Sequence, residues 1–98
     1  MANEVSPDES VSYDPNKRLS NLQKHGIDFR ECGRIFDDAM LSKEDKRHDY
    51  EAARIISLGV LGDLIVYFVW EDRHLPHCIS CREAAKHEKA IYKKHRYR

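Results

Sequence analysis

Apolar positions recur at helical spacing in the first third of the chain and at strand spacing in the middle. Residues 1–10 are polar, contain a proline and show no periodicity, so they read as a flexible lead-in to a domain over 11–98. Val11 to Tyr13 alternates as a short strand does. A first helix follows. Asp14 suits its N-cap, Pro15 its first turn and Gly26 its end, with Leu19 and Leu22 as an apolar edge. A second helix begins at Asp28, which has capping-box spacing to Glu31, and Phe29, Cys32, Ile35 and Phe36 form its apolar stripe. Residues 39–49 are polar and predict a loop. Residues 50–59 and 63–71 predict a hairpin turning at Val60–Leu61, because LIVYFVW is rich in β-branched and aromatic side chains and Gly59 and Gly62 flank the turn. His77 to Cys81 predicts a further strand. A last helix from about Glu83 to His95 carries Ala84, Ile91 and the stem of Glu88 on one face, with Ala85 and Tyr92 beside them. Helix, helix, hairpin, strand, helix is an α+β order, and a curved antiparallel sheet with helices packed on it buries all of these faces.

Ninety-eight residues, 41% hydrophobic and 35% charged, predict one globular domain rather than a disordered or fibrous chain. The longest apolar run, Leu64 to Trp70, is too short for a membrane span, and the first residues lack the basic and apolar parts of a secretory signal. A cytoplasmic location is expected. Three cysteines, Cys32, Cys78 and Cys81, do not make a disulfide framework and are expected as reduced thiols, with Cys32 on a core face. His74, His77, Cys78 and Cys81 are all acceptable zinc ligands. Their spacing fits neither ribbon nor finger, and a regular strand would turn Cys78 and Cys81 to opposite sides, so no metal or other cofactor is expected. Net charge is zero but unevenly spread. Residues 1–51 carry an acidic excess and 52–98 a basic one, concentrated from Arg82 onward, so a cationic face remains available for nucleic acid.

The stretch YDPNKRLSNLQKHGIDF, with Tyr13, Asp14, Pro15, Asn21, Lys24, His25, Gly26 and Phe29, resembles the opening of the BrnT family. The resemblance continues in Phe36-Asp37-Asp38, in His48 six residues before Arg54, in Gly59, in the run from Ile79 through Ser80, Cys81 and Arg82 to Ala84, and in Glu88 with Tyr92. It covers about residues 13–92. The chain departs from the family pattern where Cys81 replaces an alanine, His77 stands where many relatives carry arginine, Ala53 replaces an acidic residue, and DRHLPH surrounds Arg73.

The resemblance implies a RelE-like fold and the toxin of a type II toxin–antitoxin module: a metal-independent endoribonuclease that inhibits translation by cleaving RNA through attack of a ribose 2′-OH on phosphorus. Such chemistry needs a group that takes the 2′-OH proton, cations around the phosphorane and a proton for the leaving oxygen. The residues carried over as catalytic are Lys24, His48, Arg54, Arg73 and Arg82, with His25, Glu88 and Tyr92 supporting them or binding RNA. Arginine forks match phosphate oxygens, Lys24 can clamp phosphate, and His48, with His25 as its rival, is the candidate proton shuttle. Each has a structural alternative. Lys24 and His25 suit a helix C-terminus, Arg54 can pair with Asp49 or Glu51, Arg73 suits a turn, and Tyr92 suits a core. The implied partners are RNA, a BrnA-like antitoxin, operator DNA through the antitoxin complex only, and a heterotetrameric assembly. The alternative is a catalytically weak member acting as antitoxin-binding partner and corepressor.

Overall fold

A computed structural model describes residues 2–96, so the ends expected for the lead-in (Met1) and the domain (Arg98) lie outside the described residues. Its elements are β1 (Glu4–Val5), β2 (Ser12–Tyr13), α1 (Pro15–His25), a 3₁₀ helix (Phe29–Asp37), β3 (Leu41–Asp45), β4 (Arg54–Leu61), β5 (Leu64–Glu71), β6 (His77–Glu83) and α2 (Lys86–Arg96). One six-stranded sheet runs β1-β2-β6-β5-β4-β3. The α+β architecture with two N-terminal helical segments and a C-terminal helix is as expected. The sheet is mixed rather than antiparallel throughout, because β2 lies parallel to β6 through Ser12 and His77. Residues read as lead-in contribute β1, which pairs with β2.

The second helical segment winds as a 3₁₀ helix. Phe29, Cys32 and Ile35 are spaced by three, and a helix of three residues per turn stacks all three on one face, where each is fully buried. Asp28 accepts from the Arg30 amide but also takes Arg18 Nε and Nη2 at 2.8 and 2.9 Å, so its carboxylate ties α1 to this segment. The Arg18 contacts hold its pKa well below the usual carboxylate range, against the opposing effect of burial. A depressed folded pKa contributes stability that is complete above the unfolded value of 3.8 and lost as pH falls through the depressed value. Asp28→Asn is therefore expected to cost about 2 kcal/mol at neutral pH. The gap from wild type in urea midpoint should narrow between about pH 7 and about pH 3; an equal gap at both pH values would refute the account.

Residues 41–45, expected as loop, form edge strand β3, paired along its length with β4. The sequence LSKED hides it because an edge strand with an exposed face needs no apolar alternation, and charged side chains there discourage pairing with another chain. The β4–β5 hairpin turns at Gly62–Asp63, two residues later than expected, with Gly62 in the left-handed region at φ 61°. Gly59 lies within β4, where an added Cβ would come 2.7 Å from Ile35 Cγ2. Its absence lets the 3₁₀ helix sit close on the sheet.

The main core joins Phe29, Cys32 and Ile35 to Val66, Phe68, Cys78 and Cys81. Cys78 and Cys81 share this face rather than opposing one another. The β5–β6 register runs Val69↔Ser80 and then Trp70↔Cys78, so Ile79 is bulged out and the alternation restarts. All three cysteines are free and buried, and their mutual contacts together with burial push the thiols of Cys32 and Cys81 up. A second cluster on the opposite face packs Leu58 against Ala84 and Tyr92 at α2. Ile91, expected to be on α2's core face, is about half exposed, and Tyr92 takes that place. Leu19 and Leu22 are likewise outside the core. α1 instead docks through Asn21, whose amide bonds the Cys81 backbone on both its N–H and C=O. Among the described residues no helix is long and apolar enough to cross a membrane.

Candidate active site

The face of the sheet that carries α2 also carries a polar row. The registers Asp45↔Arg54, Arg54↔Glu71, Glu71↔His77 and His77↔Ser12 line up one residue from each of five adjacent strands. Residues paired across strands point to the same face, so these five side chains form a band. Glu71 is its hub. Its carboxylate accepts from Arg54 Nη2 at 3.2 Å and from Arg73 Nε at 2.9 Å. Burial pushes its pKa up, and the hydrogen bonds and charges of Arg73 and Arg54 outweigh that and leave it lowered, so it stays ionised. Arg54 lies 4.1 Å over the Tyr50 ring, and Tyr50 meets His48 edge-on with ring centroids 5.7 Å apart. Arg54 Nε is sealed from solvent and has no hydrogen-bond partner among the described residues. Nη1 of Arg54 and of Arg73 makes no hydrogen bond among the described residues, so both arginines retain a donor for an anion.

At the other end of this face, Arg82 lies opposite Tyr67, with its guanidinium 4.0 Å over that ring. Glu88 takes both Arg82 Nη groups in a fork at 2.8 and 3.0 Å and accepts the Ala85 amide at the start of α2. One carboxylate thus caps the helix and aims the arginine, and the Arg82 contacts lower its pKa. Lys24 and His25 line a cleft of about 180 Å³ with Lys17 and Ser80, on the β6 margin of the same face. The larger groove, about 440 Å³, runs between α2 and β3–β4 and is bordered by Lys43, Tyr67 and His87.

The sheet therefore brings Arg54, Arg73 and, through Tyr50, His48 to one end. Arg82 with Glu88 occupies the other, and Lys24 with His25 the flank. Tyr92, expected to support the site or bind RNA, is 1% exposed beneath this surface, and its hydroxyl donates to the Ala39 carbonyl at 2.8 Å. Arg54 pairs with Glu71 rather than with Asp49 or Glu51. Glu71, Tyr50 and Ser12 were missed from the sequence. A turn at Val60–Leu61 sets Arg54 opposite Tyr67, and only the turn at Gly62–Asp63 sets it opposite Glu71. Among the described residues no group of three or more His, Cys, Asp or Glu is arranged to hold a metal ion.

A family model described as ribonuclease toxin, BrnT, of type II toxin-antitoxin system matches residues 13–88. No curated protein matches this chain.

Proposed function

This chain belongs to the BrnT family of ribonuclease toxins of type II toxin–antitoxin systems, and from that premise we propose that it cleaves RNA without a metal ion on the face that carries α2. The observation that carries this reading is the buried Glu71 holding Arg54 and Arg73 side by side with unpartnered donors beyond it. Two fixed guanidinium groups are suited to the charge that grows on phosphorus when a 2′-OH attacks, and their preorganisation avoids reorganisation during reaction. Lys24 and His25 on the flank and Arg82 at the far end track the flanking phosphates, and His48 meets the site edge-on through Tyr50. A BrnA-like antitoxin neutralises the toxin by covering this face, and the pair, as a heterotetramer, binds operator DNA through the antitoxin.

The test is cleavage of a defined single-stranded RNA in EDTA by folded, antitoxin-free protein, read by end groups. A 2′,3′-cyclic phosphate and a 5′-hydroxyl are expected. Arg73→Ala, at a side chain 43% exposed and therefore tolerant of removal, should lower the rate by about a hundredfold. One observation favours the second reading, a weak nuclease kept as antitoxin partner and corepressor: both Nη groups of Arg82 are already taken by Glu88. Intact RNA after incubation with the folded protein would decide for it.

A further inference from the structure

We infer that His77, held by Ser12 at the end of the Arg54–Glu71 band, is the group that takes the 2′-OH proton in RNA cleavage. The inference rests on the nuclease reading above. His77 occupies the first position of β6, opposite Glu71 on one side and Ser12 on the other, so its ring lies in the same band as the two arginines. Its residue is 5% exposed, and Nδ1 lies 2.8 Å from Ser12 Oγ. The ring is therefore fixed by packing and by one hydrogen bond, as a proton-transfer group must be. Nε2 has no hydrogen-bond partner among the described residues, yet it is not among the atoms sealed from solvent. Register places the ring on the face where Arg54 and Arg73 keep donors free, with Nδ1 taken by Ser12 and Nε2 unbonded among the described residues.

The surrounding charges decide which form the ring takes. Burial disfavours the imidazolium first, and the Arg73 and Lys17 charges add to that, while Glu71 and Asp14 oppose it. The balance lowers the pKa from the ordinary 6.5, so the ring is neutral at neutral pH. Glu71 is committed to Arg54 and Arg73 and does not compete for the ring proton. With Nδ1–H donating to Ser12 Oγ, Nε2 carries the free lone pair. In the step, Nε2 accepts the 2′-OH proton as the 2′-oxygen bonds to phosphorus and the bond from phosphorus to the 5′-oxygen breaks. The 5′-oxygen departs with a proton from solvent, leaving a 2′,3′-cyclic phosphate. The imidazolium, stabilised by Glu71, then returns its proton to water. His48 has no such fixed environment: among the described residues its one ring contact is Tyr50, and it lies in the segment between β3 and β4.

The experiment is single-turnover cleavage of a short single-stranded RNA in EDTA between about pH 5 and 8, with wild type, His77→Gln and His77→Ala. For wild type the rate should rise with pH through one step below 6.5 and then level. His77→Gln should lose about a hundredfold at the plateau and lose that step, and added imidazole should restore part of the His77→Ala rate, which a merely structural histidine does not allow. Nitrogen-15 NMR of the wild-type ring gives a readout independent of turnover: a protonated Nδ1 and a bare Nε2 are expected. A His77→Gln variant that keeps both the rate and the step, while Arg73→Ala loses cleavage, would overturn the inference and leave the nuclease intact. A proton on Nε2 in the neutral ring would overturn it too. Absence of cleavage by folded wild-type protein would sink the nuclease reading itself, and this inference with it.

Discussion

Replacing Glu71 with alanine should cost about 3 kcal/mol of stability and about a thousandfold in RNA cleavage. The stability loss follows from what is left behind. Glu71 is nearly buried, with 9% of its side chain exposed, and it is the counter-charge for two guanidinium groups. Arg54 is three-quarters buried and already has an unpartnered Nε, so without the carboxylate it keeps a charge with neither water nor partner around much of it. Removing one member of such a pair costs more than the pair contributed, because the remaining charge stays desolvated. The cleavage loss exceeds that of Arg73→Ala because one change releases both arginines, and a displacement of about 1 Å at a reacting phosphate costs on the order of a hundredfold. Urea unfolding separates the two effects. Glu71→Leu combined with Arg54→Met replaces the charged pair by apolar side chains and should recover most of the stability while cleavage stays lost. Recovery of both would show that Glu71 serves the fold and not the reaction.

The parts of this protein that were legible in the sequence are those set by local chemistry. Asp14, Pro15 and Gly26 bound α1 as capping rules require, and the observed cap is Asp14 accepting from the Asn16 and Lys17 amides. The apolar run LIVYFVW forms β5, and the ordered motifs from Tyr13 to Tyr92 carried the family. What stayed hidden depends on register or on tertiary contact. Shifting the hairpin turn by two residues changes every cross-strand partner, so Glu71 could not be seen as the carboxylate for Arg54. The bulge at Ile79 was equally silent. It turns Cys78 into the core and, by the same shift, leaves His77 on the face that bears Glu71. Leu19 and Leu22 misled for a related reason: helical periodicity identifies an apolar edge, but α1 docks on a strand edge through a polar side chain.

That docking makes Asn21→Ala the second large change to expect, again about 3 kcal/mol, or a fall in melting temperature of about 15 °C. Asn21 is 5% exposed and satisfies three backbone groups at once. Its Nδ2 donates to the carbonyls of Ile27 and Cys81, each at 2.9 Å, and its Oδ1 accepts the Cys81 amide at 3.0 Å. Among the described residues β2 pairs with β6 only at His77 and no strand lies beside this edge of β6 beyond that point, so the Asn21 amide stands in for one. Alanine would strand a buried N–H and two carbonyls, each an unmade hydrogen bond in a dry environment. Asn21→Asp is the sharper test. It keeps the acceptor for the Cys81 amide but sets a carboxylate against two carbonyl oxygens, so it should be at least as damaging as alanine near neutral pH and less so in acid, where a protonated carboxyl can donate once. α1 also carries Lys24 and His25 to the margin of the face proposed to bind RNA. Loosening this contact should therefore weaken RNA binding before the protein unfolds, seen as a raised KM with a smaller change in kcat, whereas loss of Glu71 should act mainly on kcat. Equal effects of the two changes on KM and kcat would mean that α1 and the arginine band are not separate parts of the site.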